Sequence, residues 1–99
     1  MILEKLNLDG TVTLITGGGT GLGRAMVRAL ARAGSDIIIG ARRESPISDA
    51  AQEVRDLGRK SIHCVVDITD SRQVQQMVDR AIKEFGRVDV LINNAALLR

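Results

Sequence analysis

Apolar positions along the chain alternate between two spacings, which predicts seven secondary-structure elements. Short aliphatic runs are typical of buried strands and occur at residues 11–16, 36–40, 61–66 and 88–93. Between these runs, apolar residues recur every three or four positions, as on one face of a helix, at about 22–33, 46–57 and 71–85. The order β-α-β-α-β-α-β predicts an α/β fold with a parallel sheet covered by helices.

Residues with strong preferences for helix ends refine these boundaries. Ser45 and Pro46 are typical of an N-cap and a first-turn proline, so they predict where the second helix begins. Asp70 with Gln73 resembles a capping box at the start of the third helix. A glycine follows each predicted helix and is expected to end it: Gly34, Gly58 and Gly86.

A glycine-rich turn, Thr-Gly-Gly-Gly-Thr-Gly-Leu-Gly at residues 16–23, joins the first strand to the first helix. Gly17 is expected to permit a tight turn, Gly21 to let the backbone approach phosphates, and Gly23 to let the helix pack closely. The free N–H groups and the positive dipole end of the helix then face the anion. The turn therefore predicts a diphosphate-binding loop; the alternative is an ordinary structural turn.

A diphosphate loop in this position predicts a Rossmann-like half-domain with three α/β/α layers. Right-handed crossovers and the nucleotide-binding half-fold predict a parallel four-stranded sheet in the order 3-2-1-4. The first two helices then cover one face and the third covers the other. The glycine loop lies at the switch point between strands 1 and 4, where such sheets bind ligands.

Composition excludes several other classes of protein. The net charge is only +2 and one aromatic residue is present among 99, which argues against a nucleic-acid surface. No apolar stretch approaches the roughly 18 residues of a membrane span, and the first residues lack the apolar core of a signal peptide. Cys64 has no cysteine partner and no metal-ligand company, so we expect no disulfide, no metal site and a cytoplasmic location.

The spacing TGxxxGxG at residues 16–23 resembles that of the short-chain dehydrogenase/reductase family. Asp67 and Ile68, after the third strand, look like the Asp and apolar residue with which that family contacts adenine. Residues 93–96, Asn-Asn-Ala-Ala, are similar to its NNAG segment, with Ala96 in place of the usual glycine. The lead-in at residues 8–12 is also similar, so the resemblance covers essentially the whole chain.

The end of the second strand indicates which cofactor the chain prefers. Members that prefer NAD place a carboxylate there to bind the ribose hydroxyls, whereas this chain has Ala41 followed by Arg42 and Arg43. Two guanidinium groups suit a ribose 2′-phosphate, so NADP(H) is the preferred cofactor and NAD(H) a possible one. Alternatively, both arginines are solvated loop residues, and Glu44 is able to pair with either of them.

The resemblance and the glycine loop together define a predicted cofactor site. For some residues of this site a purely structural role is the alternative to cofactor binding. Asp67 could instead cap the following turn, and Asn93 and Asn94 could bind only backbone groups. The arginine stripe of the first helix, which includes Arg24 and Arg28, is interpreted as a solvated face. The predicted cofactor-binding residues are Gly17, Gly19, Thr20, Gly21, Leu22, Gly23, Ala41, Arg42, Arg43, Asp67, Ile68, Asn93 and Ala95.

The catalytic half of such an enzyme is expected to lie outside these 99 residues. The family uses a Tyr as acid/base with a nearby Lys, and this sequence contains no Tyr, so no residue is assigned as catalytic. We interpret residues 1–99 as the N-terminal NAD(P)-binding segment of a longer, homo-oligomeric reductase that acts on a small carbonyl or alcohol. The alternatives are a non-catalytic dinucleotide-binding module and a half-domain that needs a partner chain.

Overall fold

The computed structural model describes residues 7–94 and contains the seven predicted elements in the predicted order. Strands and helices alternate along the chain. The strands are β1 (Val12–Thr16), β2 (Asp36–Ala41), β3 (Ser61–Val65) and β4 (Val90–Asn93). The helices are α1 (Gly21–Arg32), α2 (Glu44–Asp56) and α3 (Ser71–Phe85).

The four strands form one parallel sheet in the order β3-β2-β1-β4, as predicted. In its register Thr16 lies beside Gly40 of β2 and Asn93 of β4. The carboxyl ends of β1, β2 and β4 therefore meet at one edge of the sheet. This edge is where the glycine loop leaves β1.

Helices cover the two faces of the sheet unequally. The core on one face joins Ile15, Ile37 and Ile39 of the sheet to buried aliphatic residues of α1 and α2. The core on the other face joins Leu14 and Ile38 to α3. Both central strands are buried on both faces, which explains their continuous aliphatic runs.

The predicted ends of α3 are confirmed except for the reciprocal bond of the capping box, since Gln73 Oε1 accepts from the Asp67 N–H at 2.8 Å and not from the Asp70 N–H. The predicted start of α2 is wrong. The Asp70 side chain accepts hydrogen bonds from the N–H groups of Arg72 and Gln73, and Gly86 ends the helix in the left-handed region at φ +82°. By contrast, α2 begins at Glu44 with Arg43 as its N-cap, so Ser45 is not the cap and Pro46 is the third helical residue. A proline is tolerated there because N–H groups of the first turn have no partner within the helix.

Within the described residues, β4 forms the sheet edge next to β1. Leu91 lies on the α3 side of this strand and is 67% exposed, and Ile82 of α3 is also exposed. The edge strand of the described sheet is therefore partly apolar and exposed. Such an edge is a surface on which further chain pairs or packs.

Candidate dinucleotide-binding site

A cleft of about 230 Å³ opens at the carboxyl edge of the sheet. It lies between the glycine loop, the end of β2, the first turn of α2 and the segment that follows β3. Seven of the predicted site residues line this cleft. They are Gly17, Gly19, Thr20, Ala41, Arg42, Arg43 and Ile68.

The beginning of the glycine loop turns sharply and packs without free space. Gly17 has φ +75°, and its N–H donates to the Gly40 carbonyl at 2.7 Å. A Cβ on Gly23 would lie 2.2 Å from the Gly17 carbonyl oxygen and 2.7 Å from Asn94 Nδ2. Gly17 therefore makes the predicted tight turn, and Gly23 permits close packing of α1 against the loop itself.

The first turn of α1 has the features of an anion site. Its N-cap residue, Thr20, makes no side-chain capping bond, and no acidic residue occurs in the first turn. Gly21 has φ +55°, and a Cβ there would meet nothing within 4 Å. The positive helix end is thus open beside the cleft. Leu22 follows Gly21 and is 66% exposed at the same end of the helix.

The end of β2 is basic, and of the two acidic residues nearby only Asp67 faces one of its arginines. Arg42 is 77% exposed on its side chain and lies 3.9 Å from Asp67, measured between Nη2 and Oδ2. Glu44 faces His63 instead, with 3.3 Å between Oε2 and Nε2. The predicted competition of Glu44 for Arg42 or Arg43 is therefore absent from the described structure.

Asp67 does not line the cleft, although its neighbours Val66 and Ile68 do, and its described hydrogen bonds are local ones. Its Oδ1 accepts hydrogen bonds from the Thr69 hydroxyl at 2.7 Å and from the Thr69 N–H at 2.9 Å. These bonds, the hydroxyl first, hold the pKa of Asp67 below its usual range, and nearby Arg42 adds to the effect. The capping alternative is therefore realised on one oxygen, and the other faces Arg42.

The asparagines after β4 hold the loop in place. Asn93 Oδ1 accepts a hydrogen bond from the Thr16 hydroxyl at 2.9 Å, and Asn94 Nδ2 donates to the Gly17 carbonyl at 3.1 Å. Asn94 is buried, and its Oδ1 has no hydrogen-bond partner within residues 7–94. Both side chains act on β1 and the glycine loop, which is the structural alternative. Ala95 lies outside the described residues.

Sequence reasoning missed several residues that shape the site. Pro46, Ile47 and Val66 line the cleft, although the sequence marks Pro46 only as a helix start and the other two only as core residues. Gly18, within the glycine loop, packs against α1, where a Cβ would lie 2.9 Å from Val27 Cγ2. The contribution of Pro46, Ile47 and Val66 to the cleft has no local signal, because the cleft forms only when α2 and the end of β3 come together.

The interpretation of Arg24 and Arg28 as a solvated face is wrong. Both side chains bind the Glu53 carboxylate of α2, Arg24 through an Nε–Oε1 contact of 2.8 Å. The pattern of charges within α1 cannot reveal this, since the acceptor belongs to another helix. An acidic residue on the α1-facing side of α2 is the signal that was available.

Within residues 7–94 no cluster of three or more His, Cys, Asp or Glu side chains could hold a metal ion. In the same part of the chain, no helix combines the length and apolar character needed to cross a membrane.

The residues present fit a dinucleotide. An uncapped helix end, a loop whose Gly21 leaves open space for a diphosphate, and an adjoining cleft lie at the switch point of a parallel sheet. Fold and site together define a Rossmann-like dinucleotide-binding protein. The family model for short chain dehydrogenases matches residues 11–99, and the chain belongs to this family, whose members bind nicotinamide dinucleotides.

Similar proteins agree with this assignment. The chain is 41% identical to 2-dehydro-3-deoxy-D-gluconate 5-dehydrogenase of Dickeya dadantii, over all of this chain and 38% of that protein. It resembles the crystal structure of gox2181 with a TM-score of 0.83 and 38% identity, over 94% of this chain and 36% of the other. For 2-keto-3-deoxy-D-gluconate dehydrogenase of Streptococcus agalactiae the TM-score is 0.79 and the identity 33%, over 94% and 35%.

The chain spans only part of its relatives. It covers 25% to 38% of the length of the curated proteins that it matches. In all of these matches nearly the whole of this chain is aligned, so the shared part is the sheet and cleft described above.

Proposed function

We propose that residues 1–99 are the N-terminal NADP(H)-binding segment of a short-chain dehydrogenase/reductase. When bound, the nicotinamide supplies or accepts hydride, and the reacting group of the substrate is a carbonyl or secondary alcohol. The chain is similar to two proteins that are named as dehydrogenases of 2-keto-3-deoxy-D-gluconate, and these names support this reaction class. We also propose that the enzyme is homo-oligomeric and cytoplasmic, and that its acid/base and its substrate-binding residues lie outside this segment.

The preference for NADP(H) rests on one observation, the basic end of β2. Ala41 stands where a ribose-binding carboxylate is expected, and Arg42 and Arg43 line the cleft next to it. Asp36, the acidic residue of β2, is at the opposite end of the strand, where its Oδ1 accepts from the Lys60 N–H at 2.9 Å. A 2′-phosphate at the carboxyl end of β2 would therefore meet guanidinium groups and no carboxylate of this strand.

Replacing Arg42 tests this preference. We expect Arg42→Ala to weaken NADPH binding by about 1.5–3 kcal/mol, because a charge-assisted contact to the 2′-phosphate is lost. NADH has no 2′-phosphate, so its affinity is expected to stay nearly unchanged. Titration calorimetry with both cofactors measures the difference.

Arg59→Ala is the matched control for this experiment. Arg59 also faces a carboxylate, Asp9, at 3.8 Å, but it lies outside the cleft. We expect this variant to bind both cofactors like the unmodified protein. Equal losses of NADPH and NADH affinity in Arg42→Ala would contradict the proposed cofactor preference.

The 99-residue polypeptide by itself is expected to self-associate and to lack reductase activity. Leu91 of the edge strand β4 and Ile82 of α3 are exposed, and exposed apolar surface of this kind favours self-association. Without a Tyr, the chain lacks the family's acid/base. Sedimentation velocity and NADPH oxidation measure the two properties. A soluble monomer would refute the packing argument, and clear turnover would refute the assignment of catalysis to a missing segment.

A further inference from the structure

One carboxylate joins the two helices that flank the cleft. Glu53 of α2 accepts hydrogen bonds from the Nε atoms of Arg24 and Arg28, both on α1. The contact is partly screened from water, since the side chains of Arg24 and Glu53 are 22% and 30% exposed. The Arg28 hydrogen bond, with a smaller contribution from Arg24, holds the pKa of Glu53 below its usual range, so the carboxylate is ionised at neutral pH.

Arg24 also reaches the glycine loop, which Arg28 does not. Its Nη1 donates to the Gly19 carbonyl at 3.2 Å. Gly19 lines the cleft and packs against the start of α2, where a Cβ would come within 2.8 Å of Pro46 Cβ. A single guanidinium therefore ties the loop to the body of α2, while the loop also contacts the first turn of that helix.

The bond from Arg24 sets the orientation of one peptide group in the loop. In a planar trans peptide the carbonyl and the following N–H point in opposite directions, and no described peptide is cis. With the Gly19 carbonyl directed at Arg24, the N–H of Thr20 points away from Arg24. Thr20 is the N-cap of α1 and lines the cleft, so the direction of its N–H matters for an anion bound there.

We propose that Arg24, held by Glu53, is a positioning residue that fixes the Gly19–Thr20 peptide for binding of the cofactor pyrophosphate. The inference rests on the proposed dinucleotide function and deepens it. Arg24 acts through the loop, whereas Arg42 is assigned to the 2′-phosphate. Loss of Arg24 therefore weakens every ligand that contains the pyrophosphate, with or without a 2′-phosphate.

Replacement of Arg24 by glutamine separates this role from general stability. In the polypeptide as its gene encodes it, Arg24→Gln is expected to lower the affinity for both NADPH and NADH about tenfold, because a hydrogen bond from a charged donor is lost. Adenosine 2′-monophosphate lacks the pyrophosphate and is expected to keep its affinity. Titration calorimetry measures the affinity for each of the three ligands, and thermal denaturation shows whether the variant is folded.

The chain offers a matched control and a coupling test. Arg28→Gln removes the other partner of Glu53 without touching Gly19, so its cofactor affinities are expected to stay within about twofold of the unmodified protein. Glu53→Gln is expected to weaken NADPH binding less than Arg24→Gln does. A variant that combines Arg24→Gln with Glu53→Gln is expected to bind NADPH no more weakly than Arg24→Gln alone, since both changes act on one contact.

The outcomes distinguish the positioning role from the proposed function. Unchanged NADPH affinity in Arg24→Gln overturns the positioning role, as do equal losses in Arg24→Gln and Arg28→Gln. Loss of adenosine 2′-monophosphate binding in parallel with NADPH also overturns it, because the effect would then extend beyond the pyrophosphate. If the unmodified protein binds neither NADPH nor NADH, the proposed dinucleotide function fails as well.

Discussion

Gly23→Ala is expected to destabilise the fold by about 3 kcal/mol or more, because the added methyl group has no space. Its Cβ would lie 2.2 Å from the Gly17 carbonyl oxygen, which is backbone and cannot rotate away. The same methyl would press on Asn94, whose Nδ2 donates to that carbonyl. Loop, helix and the segment after β4 meet at this point, so dinucleotide binding is expected to be lost together with stability.

Urea denaturation of Gly23→Ala and Gly86→Ala measures the size of this effect. Gly86 has φ +82° and open space around it, so alanine there costs only the strain of the left-handed region, about 1–2 kcal/mol. The expected order of stability is therefore unmodified protein, then Gly86→Ala, then Gly23→Ala. If Gly23→Ala is as stable as Gly86→Ala, the close contact with Gly17 does not restrict this position.

Gly21→Val is expected to abolish dinucleotide binding, with a loss of affinity of more than about 100-fold. The cause differs from that at Gly23, because it is the ligand and not the protein that needs the space. The position lies at the open end of α1, and a Cβ there would meet no protein atom within 4 Å. The valine side chain would therefore enter space that the pyrophosphate needs. The backbone at φ +55° also disfavours a β-branched residue, so some loss of stability is expected as well.

Gly21→Ala separates the two causes. Alanine shares most of the backbone strain with valine but fills less space, so we expect it to bind NADPH more strongly than Gly21→Val does. Circular dichroism and thermal denaturation establish that both variants are folded, and fluorescence titration with NADPH measures binding. Full affinity in a folded Gly21→Val variant would mean that the glycine loop is only a turn.

Much of the fold could be predicted because its signals are local. The alternation of aliphatic runs with helical spacing predicts all seven elements. Right-handed crossovers, together with the nucleotide-binding half-fold that the glycine loop indicates, lead to the observed strand order. Asp70 and Gly86 mark the ends of α3 through bonds made within a few residues. At Ser45 and Pro46, by contrast, the predicted start of α2 is two positions too late.

In the candidate site, too, some residues could be predicted from local signals, whereas contacts between separate elements could not. Gly17, Thr20 and Arg42 could be selected from the sequence, since the strand–turn–helix context predicts a ligand site at this edge and the residues come together there. The contact between Glu44 and His63 could not be predicted from the sequence. It matters for the site because Glu44 does not pair with Arg42 or Arg43 in the described structure. That contact joins α2 to β3, and no spacing along the chain specifies which acidic residue lies opposite the imidazole.

The sequence by itself determined the α/β class, the strand order and the kind of ligand that the glycine loop suits. The class and the loop follow from periodicity and from backbone preferences that act over a few residues. The strand order follows from right-handed crossovers and from the nucleotide-binding half-fold that the loop indicates. Only the tertiary structure decided that Arg24 holds both Glu53 and the Gly19 carbonyl, and that Gly23 has no space for a side chain. Such contacts join residues from separate elements, so they form only when the elements pack in three dimensions.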